Sequence, residues 1–208
     1  MSDVIFISGI DTDAGKTYAT AWLAKRFMEQ GKSVITQKFI QTGNDGYSED
    51  IQKHRELMGT GMLPEDKDFT TAPIIFTYPA SAQLAARIDG REIDLNLVRH
   101  STAVLASRYD VVLIEGAGGL MVPVTDDYFT IDYVTEERLP MALVTNGALG
   151  SINHTILSLE AIRNRGIALK YLLYNTYFDN DETIADDTRG FLRRYLAKHF
   201  PGSEMLIF

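Results

Sequence analysis

The chain has 208 residues, 45% apolar and 23% charged, with a formal net charge of −8. This balance suits one globular domain, 1–208, with room for a core. The acidic excess argues against a nucleic-acid or anionic-membrane surface, which needs a basic patch. The absence of cysteine excludes disulfide frameworks, thiolate metal sites and cysteine nucleophiles.

Met1 to Ser8 lacks the basic and apolar runs of a secretory leader, and no segment reaches membrane-spanning length, so the expected location is the cytoplasm. Val4 to Ser8 is predicted as a strand. Thr17 to Gln30 is predicted as a helix: Ala19, Trp22, Leu23 and Phe27 recur at helical spacing and Gly31 stops it. Ser33 to Phe39 reads as a second strand and Glu49 to Met58 as a short helix. Gly59 to Ala72 is poorly patterned and reads as loop, followed by a strand at Ile74 to Phe76 and a helix at Ser81 to Ile88.

Asp94 is placed to cap a helix running to about Arg108. Val111 to Glu115 is an apolar strand ending in a carboxylate, and Met141 to Thr145 and Tyr171 to Asn175 are further buried strands. Between those two, Ser151 is expected to cap a helix that runs to Arg165 and is closed by Gly166. A last helix covers Glu182 to Lys198. Apolar strands separated by helices imply an α/β fold, a mostly parallel sheet with helices on both faces. Ligands of such sheets sit at the carboxyl ends of the strands.

The segment Gly9-Ile10-Asp11-Thr12-Asp13-Ala14-Gly15-Lys16-Thr17 follows the first strand and opens the first helix. Backbone N–H groups of such a loop cradle phosphate oxygens, so Asp13, Ala14, Gly15, Lys16, Thr17 and Tyr18 are expected nucleotide contacts in a P-loop NTPase-like fold. Lys16 would reach the terminal phosphates and the Thr17 hydroxyl would ligate magnesium. Gly9 and Gly15 stand one residue further apart than in the strict motif.

Lys38 ends the second strand, which is expected beside the first, and so over the same crevice as Lys16. Two ammonium groups at one γ-phosphate suit phosphoryl transfer to an anionic acceptor. Glu115 follows four apolar residues, and burying its carboxylate requires a cation, which magnesium would supply. Gly116, Ala117 and Gly118 behind it would let backbone approach a ligand. Asp50 is a further metal candidate from an acidic loop in which Glu49 competes with it.

Taken in order, these segments resemble the dethiobiotin synthetase family. The first loop is similar to that family's G-T-D-T-x-V-G-K-T, including the extra residue. Gln37-Lys38 with Thr42-Gly43 resembles its Y-K-P-[VI]-x-[ST]-G, and Glu115 to Val122 its E-G-A-G-G-[LW]-x-[VT]. Gly150-Ser151-Ile152-Asn153-His154 resembles its G-x-I-N-H helix start, and Asn175-Thr176 its base contact. Three segments depart from the family. Phe39 replaces a proline, Ser81-Ala82-Gln83 stands in place of S-P-H, and Met205 to Phe208 offers few polar groups for reading adenine.

The resemblance implies magnesium- and ATP-dependent ring closure of 7,8-diaminononanoate (diaminopelargonate) with carbon dioxide, with other nucleoside triphosphates as possible co-substrates. Lys16 and Lys38 would neutralise phosphate and carbamate, and Thr17, Asp50 and Glu115 would hold the metal. Thr12 and Thr42 would bond the carbamate or an amine. Ser151 and Asn153, at a helix N-terminus, would seat the substrate carboxylate, donated across a homodimer interface by the partner chain. Two rivals share the loop. A switch-type ATPase with a protein or DNA partner carries a second lysine early in the loop, and no lysine precedes Lys16 here. A cobyrinate-type amide synthetase carries a cysteine-dependent glutaminase domain, which this chain lacks.

Overall fold

In the computed structural model, which describes residues 2–208, the chain builds a six-stranded sheet. Its strands are β1 (Asp3–Gly9), β2 (Val34–Lys38), β5 (Val111–Gly119), β6 (Met141–Asn146), β7 (Leu169–Asn175) and β8 (Glu204–Ile207). They lie in the order β2-β5-β1-β6-β7-β8, with all neighbours parallel. The second strand therefore does not lie beside the first, as expected, because β5 stands between them. A separate parallel pair joins β3 (Gln41–Thr42) to β4 (Ile75–Phe76), so the strand expected near Ile74 is outside the main sheet.

Side chains alternate across the pleat. Ile5 and Ile7 face one way, against Ala19, Leu23, Ala24 and Phe27 of α1 (Lys16–Glu29). Phe6 faces the other way, in a core shared with Val98 and Leu105 of α5 (Leu95–Ala106) and Leu159 and Ile162 of α7 (Ser151–Asn164). Leu192 and Leu196 of α8 (Glu182–His199) close that layer. The central strands are thus dry on both faces, which is why Val111 to Ile114 is apolar without interruption. No helix among the described residues is long and apolar enough to cross a membrane.

The caps explain several boundaries. Asp94 accepts from the Asn96 amide at 2.9 Å and starts α5, as its sequence position suggested. Ser151 is instead the first helical residue of α7. The turn out of β6 needs a positive φ, and Gly150 adopts it at 92° as the capping residue. The stretch read as loop contains a short helix, α3 (Pro64–Lys67). Strand β3, helix α6 (Thr130–Glu136) and the edge strand β8 had no forecast. The remaining helices are α2 (Glu49–Met58), at the bounds read from the sequence, and α4 (Ala82–Asp89).

Beneath α2 lies a buried ion pair. Arg55 donates from Nε and Nη2 to the two carboxylate oxygens of Asp66, both at 2.8 Å, and from Nη1 to Thr36 Oγ1 on β2 at 2.8 Å. Asp66 also accepts from the Leu63 amide and the Thr71 hydroxyl. Removing one charge of a satisfied buried pair leaves the other without compensation. Asp66→Asn is therefore expected to lower the unfolding free energy by about 3–5 kcal/mol. Urea denaturation measures it, and an unchanged midpoint would contradict this account of the pair.

Candidate active site

The carboxyl ends of β1, β2 and β5 open onto a cavity of about 420 Å³. Its floor is the loop after β1. Thr12 to Ala14 form one 3₁₀ turn, which takes up the extra residue of the motif, and the Asp11 carboxylate accepts from the Thr12 amide at 2.7 Å. Gly15 then enters α1 with φ 95°, and a side chain there would meet the Asn175 amide nitrogen at 2.4 Å. Both the backbone and the neighbour demand glycine. Lys16 folds back over the loop, its Nζ donating to the carbonyls of Asp11 at 3.0 Å and Thr12 at 2.9 Å. Burial pulls the Lys16 ammonium down from 10.5 to about 8, against the raising influence of Glu115.

Sheet register builds the opposite wall. Glu115 on β5 is paired with Ile7 of β1 on one side and with Lys38 of β2 on the other. Lys38 Nζ reaches Glu115 Oε1 at 2.8 Å and Asp50 Oδ2 at 2.5 Å, and donates to the Gly116 carbonyl at 3.3 Å. Burial works against the Lys38 charge, but Glu115 and Asp50 outweigh it and hold the ammonium above its usual range. Burial likewise works against the Glu115 carboxylate, and Lys38 and His54 overcome it, keeping the carboxyl well below the usual range.

Thr17 Oγ1 lies 3.1 Å from Asp50 Oδ1 and 3.2 Å from Glu115 Oε1. Three hard oxygens from the loop helix, α2 and β5 thus converge at the cavity wall. That is a donor set for a cation of the magnesium kind, which takes one or two carboxylates and completes its shell with phosphate and water oxygens. Of the two acidic neighbours on α2, Asp50 lines the cavity and Glu49 is exposed.

Asp13, Tyr18, Thr12, Thr42, Ala117 and Gly118 also line this cavity. Ala14 and Gly116 do not. Ala14 is buried, with its carbonyl accepting from Asn175 Nδ2 at 3.2 Å, and Gly116 contributes only the carbonyl that faces Lys38. Asn175 and Thr176 line an adjoining cavity of about 580 Å³, which shares Asp13, Gly15 and Tyr18 with the first. Its other walls are Tyr177, Phe178 and Phe208, none of which sequence patterning had marked. Ser151 and Asn153 line neither cavity; Ser151 is buried and Asn153 exposed.

The sequence reading missed Gln41, which lines the cavity, and behind the wall it also missed His54. His54 is fully buried, with Nε2 2.7 Å from Glu115 Oε2 and Nδ1 3.1 Å from Thr36 Oγ1. One signal was available: His54 follows Asp50 by four residues, which places both on one face of a helix.

Residues 3–200 match the family described as "AAA domain". The chain is 48% identical over 203 residues to the "ATP-dependent dethiobiotin synthetase BioD 2" of Pasteurella multocida, spanning 98% of this chain and 95% of that protein. It is 49% identical to the protein of the same description from Haemophilus ducreyi, over 100% of this chain and 98% of the relative. The "ATP-dependent dethiobiotin synthetase BioD" of Chlorobaculum tepidum is 48% identical over 98% of this chain and 85% of its own length. Among solved structures, a putative plasmid partition protein of Borrelia burgdorferi bound to AMPPNP superposes with a TM-score of 0.58 at 14% identity, covering 100% of this chain and 87% of that one. That likeness shows the fold alone. A P-loop bedded on a parallel sheet, a strand-end carboxylate paired with a second lysine, and near-full-length relatives of one description agree: this chain belongs to the dethiobiotin synthetase family.

Proposed function

We propose that the chain closes the cyclic urea of dethiobiotin from 7,8-diaminononanoate, carbon dioxide and ATP, releasing ADP and phosphate, in biotin biosynthesis. One amine adds to carbon dioxide and loses a proton, giving a carbamate. A carbamate oxygen attacks the γ-phosphorus as the bond to the ADP oxygen breaks. The second amine then attacks the carbonyl carbon, phosphate leaves with its electron pair, and the amine proton is lost.

The observation that carries this reading is the pair of lysines, Lys16 and Lys38, on the walls of one cavity with Thr17, Asp50 and Glu115. Carbamate and triphosphate repel each other, and two fixed ammonium groups offset that repulsion where the charges meet. Lys16 serves the terminal phosphates and Lys38 the transferring oxygen. Thr12 and Thr42 hold the carbamate or the amine in line, and Asp13, Gly15, Tyr18, Ala117 and Gly118 complete the nucleotide's seat. Thr17, Asp50 and Glu115 would hold magnesium, which would supply positive charge to the phosphate oxygens. No protein nucleophile is required, so catalysis is positioning and charge stabilisation.

Asn153 is exposed on α7 and lies outside the cavity of its own chain. We propose a homodimer in which α7 of the second copy brings Ser151 and Asn153 to the substrate carboxylate. Beside α7 the surface carries Met121, Leu149 and Leu157, all exposed and apolar, as a buried interface would. The proposed reaction has no nucleic-acid or membrane partner and runs in the cytoplasm.

The base belongs in the aromatic cavity, where Asn175 and Thr176 are already engaged. Asn175 spends its amide on Ala14 and its oxygen on the Tyr177 amide at 3.0 Å, and the Thr176 hydroxyl donates to the Phe208 carbonyl at 2.8 Å. Tyr and Phe rings hold any base by its face.

Four measurements test these readings. Protein, magnesium-ATP, bicarbonate and the diamine should yield a ureido product by mass. Lys16→Gln and Lys38→Gln should stay folded and lose about 10²-fold or more of the rate; full activity in both would refute the mechanism. Lys16→Gln mixed with Asn153→Leu should recover activity that neither has alone, since mixed dimers rebuild one intact site; a fully active monomer would rule out the shared site. GTP and CTP should each support at least about a hundredth of the ATP rate, because a pocket without edge-reading groups discriminates by about 10²-fold at most. Discrimination of about 10⁴-fold would reveal a base-reading group in that cavity.

A further inference from the structure

We propose that His54 is a positioning residue for the metal carboxylate: it fixes which oxygen of Glu115 faces the cavity. The inference rests on the reading of Glu115 as a magnesium ligand. The two carboxylate oxygens have different neighbours. Oε1 meets Lys38 at 2.8 Å and Thr17 at 3.2 Å on the cavity side, while Oε2 points into the interior and meets His54 Nε2 at 2.7 Å. Rotation about the last carboxyl torsion is soft, so a carboxylate without a fixed inner partner would present either oxygen at varying angles.

The Glu115 carboxylate can only accept, so the ring nitrogen that faces it, Nε2, carries a proton. Thr36 Oγ1 lies 3.1 Å from His54 Nδ1 on the other side of the ring and accepts Nη1–H of Arg55 at 2.8 Å. Arg55 is in turn fixed by both oxygens of Asp66. A continuous buried chain thus runs from Asp66 through Arg55, Thr36 and His54 to the carboxylate.

His54 adds direction where charge is already supplied. Lys38 compensates Glu115, but it also contacts Asp50 and lines the cavity where the proposed substrates meet. His54 is buried outside the cavity lining, and among the described residues its side chain bonds Glu115 and Thr36. Outer partners of this kind hold a ligating group at its working angle.

The test measures divalent-ion binding directly, using manganese titrated by electron paramagnetic resonance in the presence of a non-hydrolysable ATP analogue. His54→Leu should weaken manganese binding about 10–100-fold. The affinity for the same analogue in EDTA should stay at the parent value. His54→Gln, whose amide N–H can occupy the place of Nε2–H, should restore most of the loss. Parent-like manganese affinity in His54→Leu overturns the proposal, as does an equal loss of analogue affinity in EDTA, which would mark general damage to the pocket. Glu115→Gln run alongside separates two failures. If it loses the ion and His54→Leu does not, the positioning role is wrong; if neither does, the metal assignment itself is wrong. Nitrogen-15 histidine spectra of the parent give a readout independent of any variant: a proton on Nε2 is expected for His54, and an Nε2 without one overturns the proposed contact.

Discussion

A carboxylate on an inner strand of the parallel sheet, between β2 and β1, is the constraint around which this molecule is built. Glu115 is 1% exposed, and an uncompensated charge there would cost several kcal/mol. The chain supplies compensation from two directions. Parallel register sets Lys38 of β2 directly across from Glu115, so one cation arrives as a consequence of strand pairing. Helix α2 then presents His54 to Glu115 and, one turn earlier, Asp50 to Lys38. Changing the order of β2, β5 and β1 would separate all four.

The phosphate loop depends on the same frame. Its turn is stitched from beneath by Asn175, whose amide donates to the Ala14 carbonyl, and Gly15 has no side chain to obstruct that approach. Asn175 ends β7, two strands from β1, so the loop is held by the sheet as a whole. This contact also divides the crevice: the charged cavity lies over β1, β2 and β5, and the aromatic one lies beside β7. On the proposed reading, charge and ring stacking would hold a nucleotide in adjoining compartments that share Asp13, Gly15 and Tyr18.

The sheet and the phosphate site were legible because their signals are local. Apolar runs mark β5 and β6, a glycine-rich turn between strand and helix marks the loop, and Glu115 stands out as a charge after four apolar residues. Strand order was not legible, because a sequence shows that Lys38 ends a strand but not which strand lies next to it. The cap of α7 was misplaced for a related reason: serine is a good cap, yet the turn needed a positive φ that Gly150 alone supplies cheaply. Edge strand β8 is short and has only β7 for a partner, so its pattern of one buried residue among exposed ones is weak. The Arg55–Asp66 pair and the His54 contact join residues that spacing does not relate, except for the single helical turn from Asp50 to His54. Tyr177, Phe178 and Phe208 gather only once β7 and β8 are paired.

Charge arithmetic ties the site to the order in which its ligands must arrive. Lys16 and Lys38 face Asp13, Asp50 and Glu115 on the cavity wall, so the protein alone offers a polyanion no excess of positive charge. A bare polyphosphate would meet three carboxylates as well as two ammonium groups. On the proposed reading, a nucleotide that carried its own divalent ion would satisfy both signs: Asp50 and Glu115 would hold the ion, and Lys16 would meet the phosphates. Lys38 would then no longer be needed as the counter-charge of Glu115, and its ammonium could meet a second anion. A carbamate fits that vacancy in charge, and a neutral acceptor such as water does not. On the proposed reading, the ion pair between Lys38 and the two carboxylates is what couples nucleotide loading to readiness for an anionic acceptor. It also explains why one side chain must hold Glu115 steady while its cationic neighbour changes partners.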